Sequence, residues 1–293
     1  MGIVLGDNQY GKAETHVVRI TRSGADGKTH EIKDLNVSVA LIGDFASSHL
    51  TGDNSNILPT DTQKNTVFAF AKQAPIGEIE DFALHLARHF VSEFAAVYRA
   101  RVSIDEHGWQ RLNVDGKPHP HAFVRVGPEK RTTTVTCTDD ATWVVSGISD
   151  LVVLKSSGSE FRGYTKDRYT TLAETDERIL ATSVVARWRH TGTQVDWLAS
   201  FTEVRRLLLE TFASRHSLSL QQTLYAMGEA VLAARPEVAE IRFAMPNQHH
   251  FAVDLSPFGL SNENEVFYAA DRPYGLIEGT ISREDAPEPG FAW

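Results

Sequence analysis

The chain has 293 residues, 42% of them apolar and 23% charged, with a formal net charge of −9 and one cysteine, Cys137. That balance suits a globular core built without disulfide staples in a reducing compartment. It excludes a phosphate-tracking nucleic-acid binder, whose affinity rests on clustered Lys and Arg, and no apolar run has the length of a membrane span.

The N-terminal MGIVLGDNQYGK has no basic region followed by a long apolar run, and Gly6 breaks the myristoylation pattern. HVVRI and EIKDLNVSVALIG follow, rich in β-branched residues, and read as strands. Thr60-Asp61-Thr62-Gln63 reads as a helix start, where small oxygen-bearing side chains cap free N–H groups. In IEDFALHLARHFVSEFA, Phe82, Leu86, Phe90 and Phe94 recur every four residues and line one helical face. VYRARVSI, HAFVRVG and RTTTVTCT are again extended.

From about residue 140 the same plan repeats. ATWVVSGISDLVVLKS and ATSVVARWRH read as strands. EVRRLLLETFASRH carries Val204, Leu207, Leu208 and Thr211 on one helical stripe, and LSLQQTLYAMGEAVLAARP carries Leu220, Leu224, Met227 and Val231 on another. Ser217 or Ser219 caps that second helix and Pro236 ends it, after which Ile241, Phe243 and Met245 alternate in AEIRFAMP. The C-terminal EPGFAW carries no SKL-type address. We therefore expect two α+β domains, residues 1–139 and 140–293, with antiparallel sheets and helices paired on one face of each, in a cytoplasmic protein with no membrane partner.

Five segments carry chemistry, each with an ordinary reading beside it. Lys12 in QYGK is a solvated charge, or a desolvated amine usable as a base. Thr60 and Asp61 form a helix cap, or an anion site at free N–H groups. Phe161 in GSEFRGY is core, or a ring presented by a glycine turn, and Arg178 in TTLAETDERIL is a surface-helix charge, or a cation for a ligand. Gln221, beside Leu220, is a cap or a solvated polar group. In MPNQHHF, strand alternation puts Asn247 and His249 on one face and His250 on the other. His119 and His121 in HPHAF share a face, which keeps a metal-dependent oxygenase open as a rival reading.

Taken in order, YGK, TDTQKNT, LKSSGSEFRGY, YTTLAETDERIL, SLQQTLYAM, MPNQHHF and NEVFYAADRPYGLIEGTI resemble the urate oxidase (uricase) family over nearly the whole chain. The resemblance implies two tandem tunnelling-fold domains whose sheets close into a barrel on oligomerisation. It also implies a homotetramer with active sites between subunits, and oxidation of urate by dioxygen without cofactor or metal. Matched position by position, Lys12, Thr60 and His249 are the catalytic relay. Arg178 and Gln221 clamp the urate edge and Phe161 stacks on its ring. Asn247 joins Thr60 in holding dioxygen or water, and Asp61 and Leu220 contact urate through the backbone. Leu220 departs from the valine of some relatives, and the missing C-terminal address points to a bacterial-type cytoplasmic enzyme. A purine- or pterin-binding protein of the same fold, without oxidation, is the rival from another class; it would keep Arg178, Gln221 and Phe161 but need no Lys12–Thr60 pair.

Overall fold

The computed structural model describes residues 2–23 and 27–293. These divide into two compact units: one of Met1–Gly147 with Arg189–Leu198 and Pro287–Trp293, the other of Ile148–Trp188 with Ala199–Ala286.

The first unit is built on an antiparallel meander of β1 (Tyr10–Ser23), β2 (Thr29–Gly43), β3 (Val97–Val114) and β4 (Lys117–Thr138). Between β2 and β3 lie α1 (Ala46–Leu50), α2 (Thr60–Gln73) and α3 (Ile79–Glu93). The period-two pattern of β2 turns Leu35, Val37, Val39 and Leu41 inward, where they meet Phe82, Leu86 and Phe90 of α3 in one apolar core. Phe94 ends α3 as its C-cap and stacks on Phe90 with ring centres 6.4 Å apart. The separate extended stretches expected near residues 97–138 are one long hairpin, whose outer part leaves Leu112, Val114, Val124 and Val126 exposed.

A buried polar network docks α3 on this sheet. Arg131 of β4 reaches Glu80 at 2.7 Å and also bonds Glu78. Glu80, wholly buried in the first turn of α3, accepts the Ser146 hydroxyl at 2.7 Å, and that oxygen meets Nε2 of His190 at 3.0 Å. Burial raises the Glu80 carboxyl above its ordinary value, against the Arg131 charge that lowers it. Nothing in the hydrophobic periodicity signals this network, because its members are scattered over four segments.

The chain enters the second unit within β5 (Thr142–Lys155). β6 (Leu180–His190), α4 (Trp197–Ser214), α5 (Leu220–Ala234), β7 (Val238–Ala252) and β8 (Phe267–Ser282) follow. α4 begins six residues before the expected EVRRLLLETFASRH stripe. Ser219 is the cap of α5, its hydroxyl accepting the Gln222 N–H at 3.1 Å, and Pro236 stands just past the C-cap Arg235. Val204, Leu208, Leu220, Leu224, Met227 and Val231 bury their stripes against Ile241, Phe243 and Met245. β7 and β8 pair antiparallel, with a shift in register between Asn247, opposite Gly275, and His249, opposite Ala270.

Candidate active site

In the first unit, Lys12 sits half-buried on β1 opposite Val39. There β1 is pressed against β2: a Cβ on Gly11 would fall 1.8 Å from the Val39 carbonyl oxygen, so only glycine fits. The ladder then slips between Lys12 and Thr15, and Glu14 takes a left-handed φ of 54° with its N–H on the Ser38 hydroxyl at 2.9 Å.

Thr60 is the first residue of α2, and the residue at the cap position is Pro59. The expected side-chain cap is absent: Thr60 and Asp61 lie inside the first turn, and no side chain caps this end. Their N–H groups belong to the free end of the helix. The Asp61 carboxylate takes Lys64, and Nδ2 of Asn65 at 3.0 Å. It is held below the usual carboxylate range mainly by the Lys64 hydrogen bond and charge, with Asn65 and the charge of Lys12 adding smaller contributions. β1 and the approach to α2 are tied by Tyr10. Its hydroxyl accepts the Leu58 N–H at 2.9 Å and donates to the Leu58 carbonyl at 3.1 Å.

The second unit gathers the other residues. Residues 170–178 form no helix, so Arg178 is not a surface-helix charge. Phe161 and Thr175 pair backbone to backbone, and the Arg178 N–H donates to the Ser159 carbonyl at 2.9 Å. This folds the Arg178 guanidinium over the Phe161 ring, 5.2 Å from its centre. Desolvation lowers the pKa of Arg178, and among the described residues no carboxylate lies within ion-pair distance of it. The same loop is joined to the start of α5: Glu160 donates to Ser217 at 2.8 Å and Ser217 to Gly158 at 2.9 Å. Leu220, buried, and Gln221, exposed, open that helix.

A cavity of about 390 Å³ is bordered by Phe161 and Arg178 on one side and by Asn247 and His249 of β7 on another. His250 borders it too. The expectation that His250 faces away from Asn247 and His249 therefore does not hold at this cavity, which consecutive residues of the strand end border after the register shift between Asn247 and His249. His249 stacks on Phe251, with ring centres 5.8 Å apart.

One site neighbour escapes sequence reasoning. Tyr164 lies parallel to Phe161, ring centres 4.8 Å apart at 15°, with its hydroxyl on the Leu172 carbonyl at 2.6 Å. Its only signal is an aromatic residue three places on, across a glycine that takes φ of 71°. His119 and His121 do meet, ring centres 4.6 Å apart. Among the described residues, however, no three His, Cys, Asp or Glu side chains form a group able to hold a metal ion, and no helix is long and apolar enough to cross a membrane.

This arrangement offers a planar cation and an aromatic face to a flat anion, with an amide and an imidazole across the same cavity. The model of the family described as Uricase matches residues 8–136 and 144–278. A uricase from Arthrobacter globiformis is 52% identical over 291 residues, covering 99% of this chain and 94% of that protein. One from Danio rerio is 41% identical over 281 residues, covering 94% and 93%. The crystal structure of Arthrobacter globiformis uricase matches at a TM-score of 0.93 and 51% identity, over 98% of each chain.

Proposed function

The chain belongs to the uricase family, and from that premise we infer how its residues divide the work of oxidising urate. Urate, dioxygen and water become 5-hydroxyisourate and hydrogen peroxide. The architecture is α+β, with two tandem tunnelling-fold domains that we assign to residues 1–139 and 140–293. The single observation that carries the site assignment is the desolvated Arg178 guanidinium over Phe161, at a cavity shared with Asn247 and His249.

Urate is a planar anion near neutral pH. Arg178 supplies a donor fork for a carbonyl and the adjacent ring nitrogen, and Gln221 a donor and an acceptor for the neighbouring edge. Phe161 fixes the plane of the ring. Leu220 and Asp61 contribute backbone groups. The second proton of urate passes through the Thr60 hydroxyl to Lys12 acting as base, with His249 orienting the relay. The electron-rich dianion then gives one electron to dioxygen held by Thr60 and Asn247, and the radical pair combines at C5. Water displaces the peroxide, which leaves as hydrogen peroxide. No cofactor or metal takes part in this reading, because the substrate itself is the reductant.

The active unit is a homotetramer whose barrel closes between chains, so that Lys12, Thr60 and Asp61 of one chain face Phe161, Arg178, Gln221, Asn247 and His249 of a neighbour. Closure would also remove exposed strand edges. A cytoplasmic setting suits one cysteine kept buried and reduced.

Urate absorbance and oxygen uptake, followed together on chelator-stripped protein, test the reaction. The expected result is undiminished turnover with one dioxygen consumed per urate. Activity that vanishes on stripping and returns with a metal would overturn the cofactor-free reading.

A further inference from the structure

Resting on the Lys12–Thr60 relay above, we propose that Tyr10 is the positioning residue that sets Lys12 against Thr60. Its hydroxyl ties the strand bearing the lysine to the turn bearing the threonine. Tyr10 precedes Lys12 by two residues, and Leu58 precedes Thr60 by two. One hydroxyl engages both polar groups of Leu58, accepting its N–H at 2.9 Å and donating to its carbonyl at 3.1 Å. Two bonds to one residue fix the approach in two directions at once, where one bond would leave a swivel.

Both ends of the tie are anchored. The Tyr10 ring meets fully buried Phe45 edge-on, ring centres 4.8 Å apart. The Leu58 carbonyl also receives Nε2 of Gln63, whose side chain is buried beneath the first turn of α2. At the next residue after Tyr10, the close approach of Gly11 to Val39 leaves β1 no room to slide. A proton relay needs its partners within hydrogen-bond reach, and a shift of about 1 Å in such a site costs up to about 100-fold in rate. A tyrosine that served only the fold would leave the rate of the folded enzyme untouched.

The test compares Tyr10→Phe, Lys12→Met and the double variant with the parent, reading kcat, anaerobic urate Kd and melting temperature. Tyr10→Phe keeps the ring and loses only the tie. Its kcat is expected to fall about 10- to 100-fold, with urate Kd changed by less than about threefold because the clamp lies elsewhere. In the Lys12→Met background the same substitution should change the residual rate by less than about twofold, as expected when one residue acts through the other. A Tyr10→Phe enzyme within twofold of the parent, or an equal loss in both backgrounds, overturns the proposal. Lys12→Met with parental turnover instead overturns the relay. Should Tyr10→Phe fail to fold, Tyr10→Met removes the same hydroxyl with an apolar side chain that adapts to irregular space: a fall in kcat at constant Kd supports the tie, and unchanged kcat refutes it.

Discussion

Arg178 brings a half-buried charge into the second unit with, among the described residues, no carboxylate at ion-pair distance. Arg162 nearby is paired with Asp176 on the surface. A hydrogen bond to a charged group contributes about 1.5–3 kcal/mol, so Arg178→Gln should raise KM for urate roughly 10- to 150-fold. Steady-state kinetics with circular dichroism to check the fold would show it, and an unchanged KM would remove Arg178 from the site. On sequence pattern alone Arg178 reads as a charge on a helix, because nothing in TTLAETDERIL announces the backbone bridge from Phe161 to Thr175 that straightens it. At the same scale, Lys12→Met should retain the fold and urate binding and lose most turnover. Parental activity in that variant would end its role as base.

Among the elements, α5 was the most legible. Its stripe, its Ser219 cap and its Pro236 stop all follow from spacing and backbone chemistry. Ser219→Ala should lower unfolding stability by about 1 kcal/mol, and should also weaken urate binding, since the capped turn carries Leu220 and Gln221. Denaturant titration and KM measure the two effects. The docking of α3 on β4 was invisible by comparison. Arg131→Met leaves Glu80 buried without its main cation, so about 3–5 kcal/mol of stability should be lost. Glu80→Gln should lose less, because Arg131 keeps Glu78 as an ion-pair partner and the amide oxygen can still accept the Ser146 hydroxyl.

The sheet has a titrating lock as well. Burial would raise Asp34 of β2, but hydrogen bonds from His16 at 2.6 Å and Trp109 at 2.9 Å, with the charges of His16 and Arg125, outweigh it. Its folded value lies below its unfolded one. The stabilisation is therefore complete above the unfolded value and is lost as pH falls through the folded one, below about pH 4. Asp34→Asn should be less stable at neutral pH and show a flatter loss on acidification, by melting temperature across pH.

For the whole molecule, the division of the proposed site residues between the units is the consequential feature. If neighbouring chains complete each site, two dead variants should rescue one another. Lys12→Met and Arg178→Ala, unfolded and refolded as an equal mixture, should recover about a quarter of parental activity, the statistical share of sites with both residues intact in a closed homo-oligomer. Light scattering should give a mass of about four chains of 32.5 kDa. A mixture that stays inactive at tetrameric mass would mean that each site is built within one chain.

Hydrophobic period was enough to declare the strands up to β7, though not β8 (Phe267–Ser282), together with the helix pairs and the repeated plan, since burial of one face selects a period of two or of 3.6 whatever the partner. The ordered motifs carried the family, and the residues proposed for the site follow from them. Tertiary contacts were needed for what depends on segments distant along the chain: the Phe161–Arg178 fold-over, the β7–β8 register shift between Asn247 and His249, and the Tyr10–Leu58 tie. Each of these is made by backbone groups or by one hydroxyl, and such partners leave no periodic mark on the residues that make them.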